Sequence, residues 1–233
     1  MPKKIRISGS IGWEVTVDDI LSKIDAANGD DIDIDIASPG GSVFDGIEIY
    51  NGIQQYKREN PGAEIMVYIR GLAASMASYI AMVPAASLVV AEENAVFMIH
   101  SPWNFAIGDW REMQKSADFL KGLSDLMGKA YSRKTGKPAD EIDAMMADET
   151  WLFGDQIKEA GFIDDMVPAE DDDSQDDEES AVATAKLRFQ KMIANARMVE
   201  QKKDPSKVAA IYKEVVAKAS SGGTDRKQQN NTG

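Results

Sequence analysis

Between Asp31 and Ala37 the chain alternates aspartate and isoleucine without a break, and the run ends in Ser38-Pro39-Gly40-Gly41. Strict alternation marks a strand, because successive side chains leave opposite faces of an extended backbone. Taken alone it suggests one wet face. Immediately after the glycines the spacing changes: Phe44, Ile47, Tyr50 and Ile53 recur at helical intervals until Asn60-Pro61-Gly62 closes the segment. This switch from period 2 to the helical period recurs along the chain. Ile5 to Gly12 reads as a short strand running into a glycine turn. Thr16 or Asp18 can cap a helix through Ile20, Leu21, Ile24 and Ala27. Ile65 to Ile69 is a further strand, read as broken at Gly71. A helix follows from Ser75 to about Met82, then strands Leu88 to Ala91 and Ala95 to Ile99. Strands that alternate with helices predict a layered α/β domain.

A long helix is expected from about Trp110 to Tyr131, carrying Met113, Leu120, Leu123 and Met127 and ended by Lys134-Thr135-Gly136. A shorter helix carries Ile142, Met145 and Met146, and another runs from about Gly154 to Ala160. After Val167 the character changes. Residues 168–180 are dominated by Asp and Glu and read as a disordered acidic linker. Residues 181–233 carry two amphipathic helical patterns, one through Phe189, Met192, Ile193, Ala196 and Val199, the other through Val208, Ile211, Tyr212 and Val215. The expected organisation is therefore a domain at 1–167, a linker and a helical tail.

Charge and composition exclude several classes of function. The net charge is −13, yet the tail is net +7, so the first 180 residues carry −20. A body this acidic repels nucleic-acid phosphates. Cysteine is absent, which excludes thiolate catalysis and sulfur-built zinc sites. No apolar stretch is long enough to span a bilayer. Met1-Pro2-Lys3-Lys4-Ile5-Arg6 has no apolar run behind it, so a secretory leader is not expected and a cytoplasmic location is. No motif calls for a metal, nucleotide or other cofactor. Asp31, Asp33 and Asp35 share a strand face but read as solvated or paired with Lys and Arg.

The chain has one histidine, His100, at the end of the apolar run Phe97-Met98-Ile99. Ser75 stands among small residues in Gly71-Leu72-Ala73-Ala74-Ser75-Met76-Ala77-Ser78, at a strand-to-helix break. A serine hydroxyl becomes a nucleophile when a base takes its proton, and imidazole titrates near neutrality. At the start of a helix the serine also lies among amides without internal partners. The plainer alternative is a serine N-cap. A carboxylate must orient the imidazole, and Asp148 and Glu149 are the candidates, though both also read as exposed acids at a helix end. The Gly40-Gly41 pair can turn an amide toward a bound oxyanion, or can simply form a tight turn.

These segments, together with Glu159-Ala160-Gly161-Phe162-Ile163-Asp164, resemble the ClpP family of self-compartmentalising serine proteases, with greatest similarity to its phage and prophage branch, whose members act in head maturation. Order and spacing match from about Ile5 to Val167. The resemblance implies a ClpP/crotonase-like β/α spiral fold with a protruding handle helix at Trp110 to Tyr131. It implies Ser75 as nucleophile, His100 as general base, and the backbone amides of Gly41 and Met76 as oxyanion donors. By register the family's aspartate falls on Glu149, with Asp148 one residue before it. Peptide would bind as an added strand beside Gly40 and Gly41 and beside the strand after His100, starting at Ser101.

The implied partners are peptide or protein substrates, further copies of the chain in rings (a heptamer or stacked double ring), and phage capsid or scaffold proteins in the host cytoplasm or prohead. The first strand starts almost at once, without the segment that forms axial pore loops in the bacterial housekeeping enzymes. On that reading an AAA+ unfoldase is disfavoured and processing is independent of ATP. The tail is expected to engage scaffold or capsid protein, or to be cleaved in trans. Two other readings compete with proteolysis. One is a degenerate ring subunit serving as scaffold. The other is a crotonase-like acyl-CoA enzyme, which would leave Ser75 without a purpose.

Overall fold

A computed structural model describes residues 1–167; the acidic linker and helical tail expected at 168–180 and 181–233 lie outside the described residues. The elements are β1 (Lys3–Ser8), α1 (Val17–Asp25), β2 (Ile32–Ser38), α2 (Val43–Glu59), β3 (Ile65–Ala74), α3 (Met76–Ala81), β4 (Leu88–Glu92), β5 (Val96–Ile99), α4 (Trp110–Thr135), α5 (Ala139–Ala147), β6 (Thr150–Phe153), α6 (Asp155–Glu159) and β7 (Asp165–Val167). β1, β2, β3, β4 and β7 are parallel neighbours in that order. β5 pairs parallel with β3 and antiparallel with β6.

β1, β2 and the first half of β3 put their isoleucines and valines on the buried face. Ile5, Ile7, Ile32, Ile34, Ile36, Ile65, Val67 and Ile69 are all essentially inaccessible. Each such side chain contributes about 1.5–3 kcal/mol by leaving water. The aspartates of β2 take the opposite face and are only half-exposed there. Asp35 accepts from Arg70 Nε at 2.8 Å, while Arg70 Nη1 donates to Glu92 at 2.6 Å. The guanidinium also lies 4.4 Å from the centroid of the Tyr68 ring. The face expected to be wet is therefore partly a paired-charge surface, and Asp31 is occupied in accepting from the Glu64 amide.

One expectation is corrected here. β3 does not stop at Gly71 but continues to Ala74. It forks instead. Met66 to Ile69 pair with β4, and Leu72 to Ala74 pair with β5. Gly71 lies at the fork, and a side chain there would meet nothing within 4 Å. The glycine thus marks a change of partner within a continuing strand. β2 follows the same bend: its register shifts between Ile36 and Ser38, so that Ser38 lies opposite Ala73. The carboxyl ends of β2, β3 and β5 are thereby brought together.

α4 is longer than expected, 26 residues, or about 39 Å at 1.5 Å per residue. Asp109 and Glu112 form a reciprocal capping box at its start, and Gly136 ends it in the left-handed conformation. Met127, Ala130 and Tyr131 near its C-terminal end enter the core, whereas Trp110, Met113, Phe119 and Leu126 are exposed. No helix among the described residues is long and apolar enough to cross a membrane.

Candidate active site

Three strand ends supply the site. Ser75 follows β3 directly, and its amide donates to the Met98 carbonyl of β5 at 3.0 Å. With Ala74 opposite Met98, His100 emerges beside Ser75. The Ser75 Oγ to His100 Nε2 distance is 2.8 Å, within hydrogen-bonding range. Both residues are buried, at 8% and 7% exposure. Ser75 caps α3 by position, yet its side chain makes no capping hydrogen bond. Its hydroxyl is directed to the imidazole instead.

The Ser75 backbone has φ 56° and ψ −124°. A non-glycine residue there costs about 1–3 kcal/mol and is retained only where its surroundings impose it. The strain forms a sharp elbow between β3 and α3 that presents the hydroxyl. Met76, the first helical residue, has no carbonyl one turn back within its helix to which its amide could donate.

The turn after β2 lies directly over this elbow. Ser38, fully buried, donates through its hydroxyl to the Gly9 carbonyl at 2.6 Å and accepts from the Gly40 amide at 3.1 Å. The Ile11 amide donates to the Gly40 carbonyl at 2.8 Å, and the Ser42 amide to the Ile11 carbonyl at 2.9 Å. Gly40 and Gly41 have φ of 89° and 149°. Among the described residues neither the Gly41 nor the Met76 amide donates a hydrogen bond. Ser38 was legible only as part of the turn; that it fixes the turn follows from its buried hydroxyl.

Of the two candidate acids, Glu149 directly precedes β6. In its antiparallel pairing Ile99 lies opposite Thr150, so the next pair outward is His100 with Glu149. Glu149 Oε2 is 4.0 Å from His100 Nδ1, longer than a hydrogen bond, and the carboxylate is 47% exposed. Its other oxygen accepts from Trp151 Nε1 at 3.2 Å. Asp148, the other candidate, ends α5. Burial lowers the His100 pKa from its ordinary 6.5, and the Glu149 charge opposes that shift. Burial thus favours the neutral imidazole, the form able to accept a proton.

Ser101 and the residues after it correct a second expectation. Residues 101–107 form no strand. The Ser101 amide donates to the Met146 carbonyl at 3.1 Å, and its hydroxyl accepts from Ser124 at 3.4 Å. Among the described residues no group of three or more His, Cys, Asp or Glu side chains is arranged to hold a metal ion.

A hydroxyl held on an imidazole at the carboxyl ends of parallel strands, beside two unengaged amides, is equipment for nucleophilic attack on an acyl group. The model of the family described as Clp protease matches residues 3–170. The chain belongs to the Clp protease family, a family of serine-type peptidases, and its mixed sheet with parallel strands predominating is a ClpP-like α/β fold. Clp proteases generally form oligomeric rings and act on protein substrates.

Proposed function

We propose that this chain is a serine endopeptidase in which Ser75 is the nucleophile and His100 the general base. The 2.8 Å contact between their side chains carries the reading. Ser75 Oγ attacks the scissile carbonyl as His100 Nε2 takes its proton. The Gly41 and Met76 amides receive the developing oxyanion. His100 then gives the proton to the departing amine, leaving an acyl-enzyme. Water, deprotonated by the same imidazole, releases the acid product. Glu149 faces the Nδ1 side and favours the imidazolium that forms in each step.

Substrates are peptides or loosely folded protein segments that reach the site without an ATP-driven partner. Phage capsid or scaffold protein is the proposed physiological class, on the strength of the sequence resemblance. Copies of the chain assemble into rings through surfaces that include the apolar side chains left in water by one copy: Trp103, Trp110, Phe119 and Leu126. The test is a fluorophosphonate probe with sedimentation of the same sample. Labelling at Ser75 in an oligomer, with cleavage of fluorogenic peptides in the absence of nucleotide, is expected. An unlabelled oligomer would favour a degenerate scaffold subunit, and an unlabelled protein that binds acyl-CoA would favour the crotonase-like alternative.

The two acids should separate in a pH profile. A base whose pKa is lowered by burial stays competent below the usual imidazole range, so the acid limb of kcat/KM should fall below pH 6.5. Glu149 opposes the lowering, so Glu149→Gln should move that limb to still lower pH. The plateau should drop by about 10–100-fold, less than for a fully buried triad acid because this carboxylate is half-exposed. Asp148→Asn should leave both limb and plateau in place. An upward shift in Glu149→Gln, or a larger loss in Asp148→Asn, would reverse the assignment.

A further inference from the structure

Against the backbone of the Ser75 elbow lies a chain of hydroxyls that the reaction scheme does not use. Ser78 Oγ lies 2.6 Å from the Ser75 carbonyl oxygen and 2.9 Å from the Tyr131 hydroxyl. Ser78 and Tyr131 are both fully buried. Tyr131 comes from α4, 53 residues along the chain, and its ring packs edge-on against Phe162 at 5.9 Å. The direction of the chain follows from proton counting. A carbonyl oxygen only accepts, so the single proton of Ser78 points to Ser75. Tyr131 must then donate to Ser78. Burial raises the Tyr131 pKa, which keeps that proton in place throughout the working range.

The Ser75 carbonyl thus accepts twice, from the Ser78 hydroxyl and from the Tyr79 amide at 3.1 Å. That carbonyl belongs to the same peptide unit as the Met76 amide. The unit is trans and planar, so its C=O and N–H point in opposite directions. Fixing the oxygen on one side of the unit fixes the amide on the other. Hydrogen bonds to a carbonyl also polarise the amide of the same unit, making it a stronger donor. The backbone here is strained, which is where an external clamp has most effect on orientation.

We propose that Ser78 and Tyr131 are positioning residues that aim the Met76 amide at the oxyanion, coupling helix α4 to the catalytic elbow. The proposal rests on the roles given above to Ser75 and Met76. An oxyanion donor acts on the transition state more than on bound substrate. Ser78→Ala should therefore lower kcat for a fluorogenic peptide by about 10–100-fold with KM changed less than about two-fold. Tyr131→Phe, which keeps the ring packing, should lower kcat by about 3–10-fold, since it weakens the chain without cutting it. The double variant should match Ser78→Ala alone, because Tyr131 acts through Ser78. The acid limb of the pH profile should stay in place in all three, as the imidazole is untouched.

A kcat for Ser78→Ala within about two-fold of wild type, or a loss confined to KM, overturns the proposal. Losses that multiply in the double variant overturn it too. Should Ser78→Ala not fold, Tyr131→Phe decides alone, and an unchanged kcat refutes the coupling. Ser75→Ala in the same assay separates the two levels. If it cleaves like wild type, the proposed function itself fails; if it is inactive while Ser78→Ala is unimpaired, only the positioning proposal fails.

Discussion

Ser75→Ala and His100→Ala should each lower kcat for peptide hydrolysis by at least about ten-thousand-fold, and combining them should cost no more than either alone. In the proposed mechanism the two groups perform one act. Without the imidazole the hydroxyl keeps its proton, and without the hydroxyl the imidazole has no nucleophile to activate. The 2.8 Å contact puts the hydroxyl within reach of the base that would take its proton. The variants should differ in stability. Ser75→Ala removes one oxygen from a site that water can partly reach and leaves the backbone strain in place, so its melting temperature should stay close to wild type. His100→Ala empties a buried position at the end of β5 and should cost about 1–3 kcal/mol. Activity is therefore compared well below either unfolding transition. Turnover within ten-fold of wild type in either folded variant would dispose of the serine–imidazole mechanism.

The site was legible in proportion to how local its determinants are. Ser75 and His100 stand at the ends of segments whose patterns are complete within a few residues: a small-residue break and a lone imidazole after an apolar run. That they meet depends on β3 and β5 being parallel neighbours, which the strand–helix order made the natural expectation. The acid was undecided on its residues alone for a specific reason. β6 and β7 span four and three residues, too few to show a period, and neither was recognised as a strand. The antiparallel pairing of β6 is what puts Glu149 opposite His100, whereas Asp148 remains at the end of α5. Gly71 misled in the opposite sense. Glycine ordinarily punctuates a strand, but here β3 changes partners beside Gly71 and continues. Ser78 and Tyr131 had a faint signal at most, a hydroxyl inside an otherwise apolar short helix. Nothing local indicated a partner 53 residues away.

Gly40→Ala should damage stability and catalysis together, because the turn and the elbow are in van der Waals contact. A Cβ on Gly40 would lie 2.6 Å from the Ala74 carbonyl oxygen, 2.7 Å from Ser75 Cβ and 2.9 Å from the Met76 nitrogen. These neighbours are backbone or backbone-adjacent, so no flexible side chain can swing aside. The residue also has φ 89°, a conformation that side chains other than hydrogen rarely adopt. The turn cannot easily lift away, since Gly40 is held at both ends, by Ser38 Oγ on its amide and by the Ile11 amide on its carbonyl. Relief must come from displacing the Ser75–Met76 peptide, the one unit that carries both the proposed nucleophile and a proposed oxyanion donor. We expect a loss of about 2–4 kcal/mol in denaturant unfolding and a fall in kcat of at least about 100-fold in the fraction that remains folded. Gly62→Ala is the matched control. It lies outside the left-handed region, and its added carbon would meet nothing within 4 Å. It should leave activity unchanged and raise stability by up to about 1 kcal/mol through the unfolded chain. If Gly40→Ala behaved like Gly62→Ala in both measurements, the close apposition of turn and nucleophile would be wrong, and with it the assignment of the Gly41 amide to the oxyanion.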